Sequence, residues 1–516
     1  MPHPFSVLCK AGRAPWPEVK TETAGKEQAG SDASFFWARF RRQGAIRFAG
    51  VSVVILIPLY WHQRIEAGDL GSHLYNAWLA QLIRQGKAPG LWIARQWNNV
   101  LFDLLLSWLG SAFGLWAAER IAVSLTVLTF FWGAFALIGA VTRRPPWKLC
   151  PLLAVFTYGW TFEMGFMNYY ISLGLCFFAL ALFWRGWNGA RLIALALVPL
   201  IWMAHPLGGI CFAGLALYAG LAKFVRVRYH KFLLLAAGVC LLDFRMFLAR
   251  HYAVKWNAWA RYFFFNGADQ LALYSARYYL LYALFAALLV VAVAVDASGR
   301  RREVSFWDAC GIPLQLYLVA GTASLLLPSI VALPQYNEPL SYLTARLSSV
   351  SGILACWMLG AVKPRKWHAI GYAVIASVFF IFLYVDTGTL NKMEEQVERS
   401  VAALPAGHRV VGDIDSGASR VVTEHIVDRA CIGRCFSYEN YEPGTGQFRV
   451  RATPGNSIVD ASEVGDIDDQ TAEEVAKSLD RPVYEISQCD GSTVNICVHE
   501  LSEDEVEDLV RGKFEN

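Results

Sequence analysis

Apolar positions along the chain fall in blocks of roughly 17 to 25 residues, and clusters of Arg and Lys separate the blocks. Such a block is long enough, as a helix, to cross about 30 Å of hydrocarbon, and a large soluble core would not be punctuated this way. Spans are expected near residues 46–61, 121–141, 149–165, 167–184, 192–204, 208–224, 232–247, 278–296, 309–333, 347–362 and 368–385. That gives an α-helical polytopic membrane protein of about eleven transmembrane helices. One further stretch, NNVLFDLLLSWLG at 98–110, is apolar but only about 13 residues long, so it reads as an interfacial or re-entrant helix.

Positive charge orients the spans. With the 98–110 stretch left out, Arg143/Arg144/Lys148, Arg185/Arg191, Arg226/Arg228/Lys231, Arg300/Arg301/Arg302 and Lys363/Arg365/Lys366 all share the side of the basic N-terminus, with its Arg39, Arg41, Arg42 and Arg47. If the stretch spanned, all five clusters would change sides. The expected topology is therefore a cytoplasmic tail (1–44), a transmembrane domain (45–386) with a long outer loop (62–120), and a soluble extracytoplasmic domain (387–516). The polar N-terminal segment shows no apolar core of a cleavable signal. In the last segment the pattern changes to short β-like runs (HRVVGDI, FRVRAT, PVYEIS, NICVHE) among acidic helical stretches, which suggests a small α/β domain.

Composition agrees with this pattern: 55% of residues are hydrophobic and 17% charged, against about 25% charged in ordinary soluble chains. A net charge of +4, spread over short loops, excludes a nucleic-acid partner. Of the 11 cysteines, Cys431, Cys435, Cys489 and Cys497 lie in the outer domain, where disulfides can persist. The simplest pairing is 431–435 with 489–497, although four cysteines allow three connectivities, and their spacing matches no common zinc motif.

Candidate chemistry gathers in the outer loops. In AGDLGSHLYNAWLAQLIRQGKAPGLW, Leu70, Leu74, Ala77, Trp78 and Leu82 form an apolar stripe, while Asp69, His73 and Asn76 share another face. This predicts a helix on the outer membrane surface whose carboxylate could serve as a general base. The same pattern also fits an Asp69 that only caps the helix and a His73 that faces solvent. Glu163, in TYGWTFEMGFMNYY beside Tyr158, Trp160 and Asn168, implies either a cavity or an interfacial carboxylate in an aromatic belt. His205, before Pro206, could line the same cavity or be structural. Lys255, Arg261 and Arg346 offer cations, and Arg346, near Tyr336, Glu338 and Tyr342, suits a lipid phosphate; ordinary snorkelling to headgroups is the competing role. Asp243 and Arg245 lie inside a span on different helix faces, so each should meet a partner on another helix.

Together, the acidic residues after the first span (Glu66, Asp69, then His73), the stretch GKAPGLW, the segment AAERIAVSLTVLTFFWGAF and Glu163 in the second outer loop resemble the GT-C superfamily of integral membrane glycosyltransferases, in a bacterial-type branch. The resemblance covers roughly residues 45–386. It implies hexosyl or pentosyl transfer from a polyprenyl-phosphate-linked donor to a glycan, lipid or protein acceptor on the outer face of a bacterial cell membrane. It makes Asp69 the catalytic base, Glu163 a second acidic site residue for acceptor or a divalent metal, and Arg346 a contact for lipid phosphate, with no nucleotide cofactor. Glu66, His73, Asn168, His205, Lys255, Arg261 and Tyr336 would complete the substrate site. The acidic pair is spaced Glu66-x-x-Asp69 instead of adjacent, so either could be the base. A transporter or flippase, or a non-catalytic assembly partner, are the other readings; the chain lacks the internal repeat expected of the first.

Overall fold

The structure is a computed structural model. It describes residues 44–508 apart from 187, 257–262, 300–305, 362–365, 415–416, 418, 424, 439, 454–455, 457–476, 478–479 and 490–494. Residues 1–43, Arg261, Arg300, Arg301, Arg302, Lys363 and Arg365 thus lie outside the described residues. The apolar blocks fold into helices α1 (Ala45–Leu56), α2 (Leu70–Arg84), α3 (Leu101–Phe113), α4 (Leu115–Thr142), α5 (Cys150–Thr157), α6 (Trp160–Glu163), α7 (Met167–Arg185), α8 (Asn188–Ala204), α9 (Pro206–Phe224), α10 (His230–His251), α11 (Tyr279–Gly299), α12 (Phe306–Leu326), α13 (Leu343–Ala361) and α14 (Lys366–Ala403). Six of these (α4, α7, α9, α10 with its preceding turn, α13 and α14) are long and apolar enough to cross a membrane. Four more of the expected spans fall on the shorter apolar helices α1, α8, α11 and α12. The block at 149–165 is not one helix: α5 stops at Thr157, Gly159 is extended, and in the first turn of the short α6 Thr161 N donates to Gln270 Oε1 at 3.0 Å.

The bundle is held by close crossings. A Cβ on Gly133 of α4 would meet the Gly174 carbonyl oxygen of α7 at 2.3 Å, and one on Gly174 would meet the Phe130 nitrogen at 2.7 Å. Both contacts are with backbone, which cannot step aside, so these helices approach as closely as small residues permit. Gly133→Val is expected to abolish recovery of monodisperse protein from detergent extracts, as read by size-exclusion chromatography. Gly214→Val, with open space around it, should be recovered like wild type.

Helix α14 runs past its apolar block to Ala403 and carries the chain directly into the tail. The tail adds strands β4 (Arg409–Asp413), β5 (Phe436–Ser437), β7 (Val483–Gln488) and β8 (Ile496–Glu500) and the short helices α15 (Ile426–Cys431) and α16 (Glu442–Thr445). Its sheet has the order β5-β4-β7-β8, with β4 parallel to β5 and β7 and β8 antiparallel to β7. Disulfides join Cys431 to Cys435 and Cys489 to Cys497. The run FRVRAT does not enter this sheet. Its β6 (Val450–Ala452) instead pairs antiparallel with β1 (Leu91–Ile93) of the first loop, while β2 (Val254–Lys255) pairs with β3 (Ile330–Val331).

This pairing belongs to a wide dock between the tail and the loops. Ser437 N donates to the Tyr75 hydroxyl (2.8 Å), Trp160 Nε1 to the Arg420 carbonyl (2.7 Å) and Asn337 N to the Thr445 carbonyl (3.0 Å). The expectation that α2 lies on a membrane surface is therefore corrected. Its apolar stripe (Leu70, Leu74, Ala77) joins the bundle core, Tyr75, Leu79 and Ala80 pack with tail residues such as Val427 and Ile486, and the helix is buried nearly all round. The helical periodicity is real, but the second face is covered by chain more than 300 residues away, not by water.

Beneath the dock lies a buried ionic network. Arg429 of α15 donates to the Ile65 carbonyl (3.0 Å), approaches Glu119 of α4 at 3.2 Å and lies 3.0 Å from Glu394 of α14. Arg64 pairs with Glu398, and Asn391 Nδ2 donates to Glu66 Oε1 at 2.7 Å. Burial, reinforced by the neighbouring Glu394, pushes the Glu66 carboxyl well above the usual carboxylate range. Glu66 is thereby tied to α14 through Asn391, and it also lines a small cleft with Arg64 and Glu163.

Candidate active site

Asp69 sits at the N-terminal end of α2, and its backbone is pinned. Asp69 N donates to the Met164 carbonyl at 3.0 Å, and glycine is needed on both sides of the contact. A Cβ on Gly68 would meet the Met164 oxygen at 2.6 Å; one on Gly165, whose φ is 77°, would meet the Asp69 nitrogen at 2.4 Å. Although placed to cap α2, the side chain makes no capping bond, and it makes no hydrogen bond to any described residue. The simple capping role is therefore absent, and the carboxylate is left to face its neighbours.

Those neighbours are cationic or able to become so. Nε2 of His425, at the start of α15, lies 3.8 Å from Asp69 Oδ1, while Nδ1 of the same ring is tied to Asp428 Oδ2 at 2.8 Å. Asp428 is fully buried, so it fixes the plane of the His425 ring. A Cβ on Gly71 would strike the His425 carbonyl at 2.2 Å, so α2 and the start of α15 meet at backbone distance. On balance burial lifts the Asp69 carboxyl above its ordinary value, while His425, His73 and Arg346 pull it back down.

His73 is buried, not facing solvent. Its Nδ1 lies 2.8 Å from Asp103 Oδ1 of α3, and Asn168 Nδ2 donates to Asp103 Oδ2 at 2.8 Å. Burial alone would lower the His73 pKa, but Asp103 outweighs it, helped by Glu442 and Asp69, and the result is about 9. Asn168 also accepts from Phe102 N (2.8 Å), so its amide is fixed between the start of α3 and Asp103 and holds that carboxylate in place. The rest of the polar face of α2 is taken up by the tail: Asn76 and Asn440 exchange two amide hydrogen bonds of 3.0 Å, and Ser72 donates to Glu442 at 3.0 Å.

Arg346, on the first turn of α13, completes the cluster. Its guanidinium lies 3.9 Å from the Phe166 ring centre, its Nε is buried, and it makes no hydrogen bond or ion pair with any described side chain. Tyr169 donates to its carbonyl (2.8 Å), and the His205 ring meets Tyr169 edge-on with centres 5.3 Å apart. His205 Nδ1 caps α9 by accepting from Leu207 N at 3.1 Å, so its role in the fold is to start that helix.

The other candidates lie apart from this cluster. Glu163 is buried beside Tyr158, accepts a 2.6 Å hydrogen bond from Tyr274, and shares a small cleft with Arg64 and Glu66 instead of with Asp69. Lys255 is exposed on β2, and Tyr336 sits near Gly446 of the tail. Of the intramembrane pair, Arg245 meets Trp256 and the Leu326 carbonyl, but Asp243 meets no described residue. Among the described residues no three His, Cys, Asp or Glu side chains are grouped so as to hold a metal ion.

Sequence reasoning missed Asp103, His425, Asp428, Tyr441 and Glu442. Asp103 was detectable as the lone acid in an apolar run, and the His425/Asp428 pair as an i, i+3 combination in HIVDRAC. Nothing local places Tyr441, whose ring centre is 5.5 Å from that of His425, or Glu442 beside the first loop. No protein-family model, curated protein or solved structure matches the chain.

Proposed function

We propose that this chain is a multi-pass membrane glycosyltransferase of the GT-C kind, acting on the outer face of the membrane with its N-terminus in the cytoplasm. It takes a sugar from a polyprenyl-phosphate-linked donor and passes it to an acceptor hydroxyl. The observation that carries this reading is that, at one end of the bundle, an Asp69 carboxylate and an Arg346 guanidinium, neither hydrogen-bonded to any described residue, lie within each other's field. A half-buried base and a buried cation are the two groups that glycosyl transfer to a hydroxyl requires.

In the proposed step, the acceptor oxygen attacks the anomeric carbon as its proton passes to Asp69. The bond from that carbon to the phosphate oxygen breaks, its electron pair stays on the departing phosphate, and Arg346 meets the new charge with its planar fork. His425, oriented by Asp428, presents its Nε2 towards Asp69. Tail and loop would enclose the reacting groups, since α2, α15 and α16 pack directly on one another. Extraction of lipid from purified protein, followed by mass spectrometry, tests the donor side. Wild type should retain polyprenyl phosphate and Arg346→Ala should lose most of it; equal retention by both would remove Arg346 from the site.

A further inference from the structure

We infer that the exposed face of α10, centred on Asp243, is an intramembrane docking surface for a transmembrane helix of another protein that carries an Arg or Lys near its middle. Of the six helices long enough to cross a membrane, α10 alone has none of its span window buried within the chain. It is attached along one stripe of half-buried positions, Leu233, Ala237, Leu241, Arg245 and Leu248, which recur at three- and four-residue intervals. Arg245 marks the attached side: its guanidinium carbon is 4.0 Å from the Trp256 ring centre, and Nη1 reaches the Leu326 carbonyl at 3.3 Å.

Asp243 lies two residues earlier, roughly 200° around the helix, and so points away from the bundle. It is exposed, and it has no hydrogen bond or ion pair with any described residue. It also lies deep. In a helix running from His230 to His251 it is about 4 Å along the axis from the midpoint, so both membrane surfaces are more than two helical turns away. A short Asp side chain cannot reach headgroup water from that depth, and an intramembrane carboxylate persists where a partner answers it.

Charge identifies the occupant. A lipid phosphate is excluded by like charge. A second copy of this chain, inserted in the same orientation and meeting α10 with α10, would bring two Asp243 carboxylates to the same depth. A helix of another protein with one central cation satisfies the carboxylate and covers the exposed Leu235, Val239, Met246 and Phe247 around it.

The test uses the full chain in bilayers with synthetic Leu/Ala transmembrane peptides. Each peptide carries one cysteine and, at its centre, Arg, Leu or Glu. Cys240 is exposed one turn from Asp243 and reports docking by oxidative disulfide capture. The Arg peptide should be captured at an about tenfold lower peptide-to-lipid ratio than the Leu or Glu peptide. Asp243→Asn, an exposed change that leaves the packed stripe intact, should erase the difference. Equal capture of all three peptides, an advantage that survives Asp243→Asn, or Cys240–Cys240 dimers that exclude the peptide would overturn the inference.

Discussion

Asp69→Asn should lower sugar transfer by a factor of about 10²–10⁴, the usual range for removing a positioned general base, while leaving the protein folded and its donor lipid bound. The side chain is nearly isosteric, and no described residue donates a hydrogen bond to it that an amide would lose. The loss should therefore appear in kcat, with thermal unfolding in detergent unchanged. Asp428→Asn should have a smaller effect of the same kind, because it alters the orientation of the His425 ring without touching the carboxylate that takes the proton. A transfer rate unaffected by Asp69→Asn would move the base elsewhere.

The largest structural effect is expected at Arg429. Replacing it with Met would deprive buried Glu119 of its 3.2 Å partner, leave Glu394 with only the more distant Arg64 at 3.7 Å, and remove the donor to the Ile65 carbonyl. Breaking a buried pair by removing one partner typically costs about 3–5 kcal/mol, a large fraction of the about 5–15 kcal/mol that holds a domain folded. Arg429→Met should thus prevent stable assembly of the tail on the bundle, seen as protease cleavage after α14 or as loss of the cooperative thermal transition. Glu394→Gln should be milder. Glu66 already favours its protonated form beside Glu394, so an amide there preserves much of the hydrogen bonding.

The pH dependence of stability follows from His73. Its folded pKa of about 9 lies above the ordinary 6.5, so the group contributes fully below pH 6.5 and loses that contribution as pH rises towards 9. A shift of that size corresponds to something on the order of 3 kcal/mol. Glu442 acts in the same direction at lower pH: burial raises it to about 7, so its share is lost between pH 4.5 and 7. Thermal midpoints should fall between pH 6.5 and 9, and His73→Gln should flatten that slope.

How far the sequence reached depends on how local each signal was. The membrane helices were legible because one apolar run of about twenty residues specifies a span by itself. The place of Asp69 at the start of a helix was legible because it follows the first span and precedes a clear apolar stripe. The character of α2 was misread for a related reason: periodicity reports two faces, but not what covers the second one. Glu66 and Asn168 enter the substrate site only through the resemblance, from the acidic pair after the first span and from the neighbourhood of Glu163. Only the fold shows that Glu66 is held by Asn391 and that Asn168 is held between Asp103 and the Phe102 nitrogen. His425 and Asp428 lie in a tail that joins the site through contacts spanning more than 300 residues, and no local pattern encodes such a meeting.

The most direct test of the Asp69–Arg346 site is the mass of the lipid that Asp69→Asn retains after purification. With the phosphate contact intact and proton removal blocked, the variant should carry polyprenyl phosphate with its sugar still attached, enriched over wild type, and the mass would identify the sugar. If neither protein carries a polyprenyl lipid, or both carry the same species in the same amount, then Asp69 is not the base of a lipid-dependent glycosyl transfer.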